Sequence, residues 1–141
     1  MDHVAIMKPS WKLTSKILSG EKKIESRWYK NRHDPWNKIK EEDTVYFKER
    51  KYIFVKAAVE KVLQFENLNQ TKVKEILDQY GKEIGIEKNI GLFFNLFKDK
   101  KYCILVFLKD TQKIQPFKIN KKGFGAMSAW ICVENIEKIK I

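Results

Sequence analysis

The feature that most constrains the fold is an uninterrupted apolar run from Tyr102 to Leu108, bounded by Lys101 and Lys109. A strand with one face in water alternates apolar and polar residues, whereas this run is apolar at both parities. Such a run is typical of a strand that is covered on both faces. The sequence therefore predicts a sheet that holds this strand in its interior, with other elements packed against both of its sides.

A single domain accounts for the whole length of the chain. Of 141 residues, 43% are hydrophobic and 13% aromatic, which is enough to bury a core. The six glycines and three prolines do not gather into a flexible linker. We therefore expect one domain over residues 1–141.

Several classes of protein receive no support from the sequence. The longest apolar run is far shorter than the roughly 20 residues that cross a bilayer as a helix, so no membrane partner is predicted. The first residues lack the apolar stretch and cleavage site of a secretory signal, and we expect a cytoplasmic location. His3, His33, Cys103 and Cys132 have no paired ligand spacing, so neither a metal site nor a cofactor is predicted.

The order of the predicted elements favours an α+β fold. A strand over Val4–Met7 leads to a helix that Ser10 caps and that continues to about Ser19, where Gly20 closes it. Further strands are predicted over 22–29, 44–48, 52–62, 101–109, 114–119 and 128–133, and helices over 69–81 and 87–98. This order predicts a small mixed sheet with helices packed around it.

The most informative segment begins at Gly20 and reads Gly-Glu-Lys-Lys-Ile-Glu-Ser-Arg. It follows a predicted amphipathic helix and enters a predicted strand. The segment resembles the G-x-K-x-x-E-x-R signature of the ASCH domain, a member of the PUA-like superfamily. Gly20, Lys22, Glu25 and Arg27 occupy the four signature positions.

The resemblance extends over most of the chain, including Pro116-Phe117 and the segment from Gly123 to Trp130. It implies a PUA-like β-barrel of mixed, mostly antiparallel strands with flanking helices and a cleft beneath the helix–strand junction. It also implies binding of RNA or a modified base, and some ASCH members are amidohydrolases that act on N4-acylated cytidine. One departure is Glu42, which stands where the family often has glycine before an aspartate.

The signature side chains suit a nucleotide ligand. Lys22 and Arg27 supply donors for a phosphate, and Glu25 can accept from a base edge or an amine. Two other interpretations stay open. Lys23, Glu25 and Arg27 alternate on one strand face, as charges do on a solvated sheet edge. Arg27 is also suited to be a buried structural partner of Glu25, which predicts loss of the fold when either is replaced.

A basic surface extends the predicted site. The chain has 29 Lys and Arg against 18 Asp and Glu, a net charge of +11, and such a balance favours the phosphate backbone of nucleic acid. Trp36, in a polar turn beside Pro35, is the candidate for stacking on an unpaired base. The residues predicted to contact RNA or a nucleotide are Lys8, Lys22, Lys23, Glu25, Arg27, Trp36, Lys121 and Lys122.

Two alternatives to a binding domain remain. The first is a ribonuclease or a hydrolase of N4-acylcytidine type, with Lys22 and Glu25 as catalytic residues. The resemblance implies a threonine beside the lysine in such amidohydrolases, where this chain has Glu25; a carboxylate does not replace that nucleophile, although with Lys22 it could position water. The second is a protein-binding surface over Phe93–Phe97, if those aromatic residues form an exposed patch.

Overall fold

The computed structural model describes all 141 residues, and its chain folds into six strands and three helices. The strands are β1 (Asp2–Met7), β2 (Ile24–Tyr29), β3 (Thr44–Glu49), β4 (Tyr52–Phe65), β5 (Tyr102–Phe117) and β6 (Trp130–Val133). The helices are α1 (Leu13–Ser19), α2 (Gln70–Ile84) and α3 (Ile90–Phe97), with short 3₁₀ turns at Pro9–Trp11, Glu87–Asn89 and Ile136–Lys138.

All six strands form one mixed sheet in the order β2-β5-β4-β3-β1-β6. Only β1 and β3 are parallel; every other neighbouring pair is antiparallel. The sheet curls into a half-barrel with the helices beside it, so the predicted α+β, PUA-like architecture is confirmed. The run that begins at Tyr102 lies in an interior strand as predicted, and its residues from Cys103 to Val106 are fully buried.

The half-barrel has a seam between its two edges, and a side chain bridges it. Strand β2 is one edge of the sheet, and β6 with its neighbour β1 forms the other. The Arg27 guanidinium on β2 donates to the carbonyl oxygens of Ala129 (3.1 Å) and Ile6 (3.3 Å). The guanidinium has several N–H donors in one plane, so it can link the two sheet edges, which form no backbone hydrogen bonds with each other.

The prediction of one continuous helix from Ser10 to about Ser19 is wrong, because the structure has a 3₁₀ turn followed by a separate helix. Pro9 opens a three-residue 3₁₀ turn, and Lys12 then adopts a left-handed conformation with φ of 55°, which breaks the turn from α1. Ser10 therefore caps nothing, and α1 begins at Leu13. The predicted closure at Gly20 is confirmed, with φ of 83°.

The second predicted helix ends too early. Asn69 caps α2 as predicted, accepting from the Lys72 amide at 2.8 Å. Gly81 does not end the helix but lies inside it, where a β-carbon would meet the end of the Ile90 side chain on α3 and displace it. Gly85, in the left-handed conformation, provides the actual cap.

The predicted strand over 114–119 is not a separate element. Strand β5 continues without a break to Phe117, and its ladder with β4 contains three register shifts. Such bulges bend a long strand, which lets one strand serve both halves of a curled sheet. No helix of the chain is both long enough and apolar enough to span a bilayer.

Candidate functional site

The Lys22 side chain lies in the interior and not at the surface. Only 2% of the residue is exposed. Its Nζ donates to the carbonyl oxygens of Ile24 (2.5 Å) and Ile84 (2.8 Å), and it lies 3.1 Å from Glu25 Oε1. An ammonium has three protons, so these oxygen atoms use all of them. This geometry leaves no donor for a phosphate, which differs from the role that the sequence predicts for Lys22.

The carboxyl end of α2 provides the pocket for this ammonium. The last carbonyl groups of a helix carry partial negative charge and have no partner within the helix. Lys22 Nζ donates to the Ile84 carbonyl oxygen, and Lys16 Nζ donates to the Gly85 carbonyl oxygen at 2.6 Å. Gly85 has φ of 87°, and a β-carbon there would lie 3.2 Å from Lys22 Cβ. The cap glycine is therefore needed for its backbone angle and for the room that it leaves to Lys22.

Glu25 lies between two cations. Its Oε1 faces Lys22, and its Oε2 accepts from Arg27 Nη2 at 2.9 Å. Burial raises the pKa of the Glu25 carboxyl, but the two cations and their hydrogen bonds outweigh burial, and the pKa is lowered. Burial lowers the pKa of the Lys22 ammonium, with Glu25 opposing that shift. The carboxylate thus stays ionised at neutral pH and holds both cations in place.

A slot of about 190 Å³ lies in the seam, and the signature forms part of its wall. Glu25 and Arg27 supply polar groups to the lining. Trp28 stacks on Phe97 with ring centroids 4.8 Å apart and an angle of 7° between the planes. The other lining residues are Ile6, Met7, Lys8, Trp11, Leu13, Ser26, Tyr29, Ile84, Ile86, Phe93 and Ala129.

An open groove of about 830 Å³ adjoins the slot. The two cavities share Tyr29 and Ala129, so they meet at the seam. One wall of the groove carries Arg32 and His33, and the other is the segment from Gly125 to Trp130. The slot and the groove are therefore neighbouring cavities on the same side of the seam.

The predicted basic residues lie in different places. Lys8 lines the slot, with its Nζ 4.6 Å from the centre of the Trp11 ring. Lys23 is exposed beside the signature but lines neither the slot nor the groove. Lys121 and Lys122 follow β5 in the basic loop, with Lys122 exposed and Lys121 half-buried.

Trp36 is not a free aromatic face. Its ring is half-buried against the core, 5.2 Å from the Tyr102 ring in an edge-to-face arrangement, and the Arg32 guanidinium covers it at 5.5 Å. Trp36 lines neither the slot nor the groove. The structure therefore gives its ring a packing role in the turn.

Sequence reasoning missed most of the slot, although part of its signal was present. Trp11 lies in the 3₁₀ turn and Phe97 at the end of α3, and they meet at the slot only because the helices fold over the seam. Phe93 and Phe97 face the slot and do not form an outward aromatic patch; the exposed apolar side chains of α3 are Leu92 and Leu96. The signal available in the sequence was the spacing of Phe93 and Phe97, which places both rings on one face of α3.

The fold and site together define an α+β half-barrel with a charged signature at its seam, and solved structures share this fold. An ASCH protein from Zymomonas mobilis matches with a TM-score of 0.71 and 19% identity, covering 97% of this chain and 90% of that one. A Tyr-to-Phe variant of that protein matches with a TM-score of 0.69 and 19% identity, covering 97% and 93% of the two chains.

A protein described only as hypothetical also matches, with a TM-score of 0.54 and 20% identity over 77% of this chain and 98% of that one. No protein-family model and no curated protein matches the sequence. At this level of identity the likeness establishes the fold. The fold is that of ASCH proteins, so the resemblance that the signature predicts is confirmed in its architecture.

Proposed function

We propose that this chain is an ASCH-type binding domain that takes a nucleobase of RNA or of a nucleotide into the seam slot. The observation that carries the proposal is an aromatic-lined slot with a carboxylate and a guanidinium in its wall. Apolar cavities with a few convergent polar groups are the usual sites for small ligands. Splayed bases in particular stack on aromatic side chains and are recognised at their polar edges.

The size of the slot suits one base. A cavity of about 150 Å³ in another protein accommodates benzene. The slot, at about 190 Å³, offers room for a six-membered ring with small substituents and excludes a whole nucleotide. The sugar and phosphate must therefore lie outside, and the adjoining groove gives them a path past Tyr29 and Ala129.

The polar groups of the slot complement a base edge. Each carboxylate oxygen of Glu25 has one partner in the protein and keeps a lone pair for an amino group. The Arg27 guanidinium can donate to a ring nitrogen or carbonyl oxygen, since base edges place donors beside acceptors. The lysine-rich surface, with a net charge of +11, adds attraction for the backbone.

The contacts of Lys22 count against the catalytic role that the enzyme alternative gives it. A general base needs a free lone pair within reach of the water that it deprotonates. Lys22 Nζ, the proposed catalytic nitrogen of the enzyme alternative, is instead held by three oxygen atoms and lies outside the slot lining. Lys22 therefore positions Glu25, and through it the Arg27 side chain.

Titration with nucleosides tests the proposal. Trp11 and Trp28 line the slot, so we expect cytidine or uridine, whose bases are single six-membered rings, to change the tryptophan fluorescence, whereas ribose 5-phosphate leaves it unchanged. Ala129→Phe should block the junction of slot and groove and weaken nucleoside binding by about tenfold or more. Ala126→Phe is the matched control, because Ala126 lines only the groove.

Two results would refute the proposal. One is binding of ribose 5-phosphate as tight as that of the nucleosides. The other is nucleoside binding that Ala129→Phe and Ala126→Phe leave equally intact. Conversion of N4-acetylcytidine or RNA to products by the purified wild-type protein would restore the enzymatic alternative.

A further inference from the structure

His3 is a fully buried histidine with a polar partner at each of its two ring nitrogens. Its Nε2 lies 2.9 Å from Asp43 Oδ2, and its Nδ1 lies 3.0 Å from Trp130 Nε1. An indole nitrogen only donates, so Nδ1 must be the unprotonated acceptor. The ring proton is thereby assigned to Nε2, which donates to Asp43. These contacts are satisfied together only while the imidazole is neutral.

The Trp130 ring connects this histidine to the candidate site. Its centre lies 5.1 Å from Arg27 Cζ, a cation–π contact. Trp130 lines the groove, and the carbonyl of its neighbour Ala129 accepts from the same guanidinium. A shift of Trp130 would therefore change both the position of Arg27 and one wall of the groove.

We propose that His3 is a positioning residue for the seam site, whose neutral ring holds Trp130 against Arg27 and whose protonation releases Trp130 and weakens ligand binding. The inference rests on the proposed function for its ligand. A proton on Nδ1 would face the indole N–H, and two donors cannot share that contact. One of the two rings must then move.

The charges around His3 determine where this change occurs. Burial lowers the pKa of His3, and the amino terminus acts in the same direction, while Asp43 and Asp2 oppose them. Cys132 Sγ lies 3.4 Å from Nδ1, but burial raises the pKa of that thiol to about 12, so it adds no charge. The net shift is downward, and we expect His3 to be neutral at pH 7.

The sign of the pH effect follows from this shift. The unfolded chain binds the proton more tightly than the folded one, so the stabilisation by His3 is complete above about pH 6.5, the ordinary pKa, and is lost as the pH falls. Ligand affinity should fall over the same range. Glu25 does not explain such a loss, because its own pKa is lowered from a value already near 4.5.

Two amide variants separate the two nitrogen atoms of the ring. In His3→Asn the amide oxygen can replace the Nδ1 acceptor for Trp130, and in His3→Gln the amide nitrogen can replace the Nε2 donor to Asp43. At about pH 7.5 we expect His3→Asn to keep nucleoside affinity within about threefold and His3→Gln to lose about tenfold. Wild-type affinity should fall below about pH 6.5, and that of both variants should not.

The Trp130 indole N–H resonance gives a readout that needs no ligand. It should shift with pH in the wild-type protein as His3 titrates, and thermal unfolding should confirm that the variants are folded. Wild-type binding that does not change with pH, or a pH profile that His3→Asn retains, would overturn the positioning role alone. Absence of nucleoside binding at every pH would refute the proposed function and this role with it, while a resonance that ignores pH would refute the contact with His3.

Discussion

The cations of the seam and the cations of the surface have opposite environments. Lys22 and Arg27 both form ion pairs with the buried carboxylate of Glu25, one at each of its oxygen atoms. Lys23 and Lys122 are exposed, and neither takes part in an ion pair of the structure. Both sets contribute to the same net charge, but the seam cations are buried away from water and the surface cations are hydrated.

This difference separates geometry from attraction. A buried ion loses hydration, so it must be matched by partners in fixed positions, and removing one partner is costly. An exposed ion keeps its water and acts over a distance that salt shortens. The seam cations therefore shape the slot, while the surface cations attract a polyanion without defining where it binds.

Glu25→Gln should have the largest effect on this contrast. The neutral amide would leave Lys22 and Arg27 without their shared negative charge, and we expect the free energy of unfolding to fall by about 3–5 kcal/mol. Urea denaturation measures the change. Glu21→Gln, at an exposed carboxylate in the preceding turn, should change stability by no more than about 0.5 kcal/mol. Equal effects of the two variants would show that burial does not distinguish Glu25.

Lys22→Met and Lys23→Met compare neighbouring lysines in the two environments. We expect Lys22→Met to cost about 3 kcal/mol, because it leaves Glu25 with one cation and the Ile84 carbonyl unpaired. Lys23→Met should stay within about 0.5 kcal/mol of the wild type, since its side chain is exposed. Thermal and urea unfolding of both proteins would check this. A Lys22→Met protein as stable as the wild type would contradict the structural role of the Lys22–Glu25 ion pair.

Trp36→Ala should have a smaller effect, and on stability only. The ring packs against Tyr102 and under Arg32, and it is half-buried, so we expect a loss of about 2 kcal/mol. Nucleoside affinity should be unchanged, because Trp36 lines neither the slot nor the groove. A drop in affinity without loss of stability would instead return Trp36 to the stacking role that its polar turn suggests.

The sequence predicted what depends on local pattern. The apolar run from Tyr102 identified an interior strand, Asn69 identified the start of a helix, and the signature identified the architecture. In each case neighbouring residues carry the information, through strand alternation, a capping side chain or motif spacing. The prediction that Gly81 ends the helix was wrong, because this glycine lies inside α2 against the Ile90 side chain, a contact that no local pattern reveals.

The sequence pointed to residues that the structure brings together at the seam, but it did not predict their environment. Glu25 and Arg27 do line the slot, but the burial of Lys22 depends on the carboxyl end of α2, a helix far away in the chain. A strand that alternates charges looks solvated until another element covers it. For the same reason the contact of His3 with Trp130, across two paired strands, has no signature in either segment.

The salt dependence of RNA binding tests the contrast most directly. Affinity for a short single-stranded RNA should be measured over a range of salt for the wild type, Arg27→Lys and the double variant Lys121→Ala/Lys122→Ala, with folding checked for each. We predict that Arg27→Lys weakens binding by a similar factor, about tenfold, at every salt concentration. The double variant should reduce the slope of log affinity against log salt by up to about 1.4. A reduced slope for Arg27→Lys together with an unchanged slope for the double variant would contradict the account.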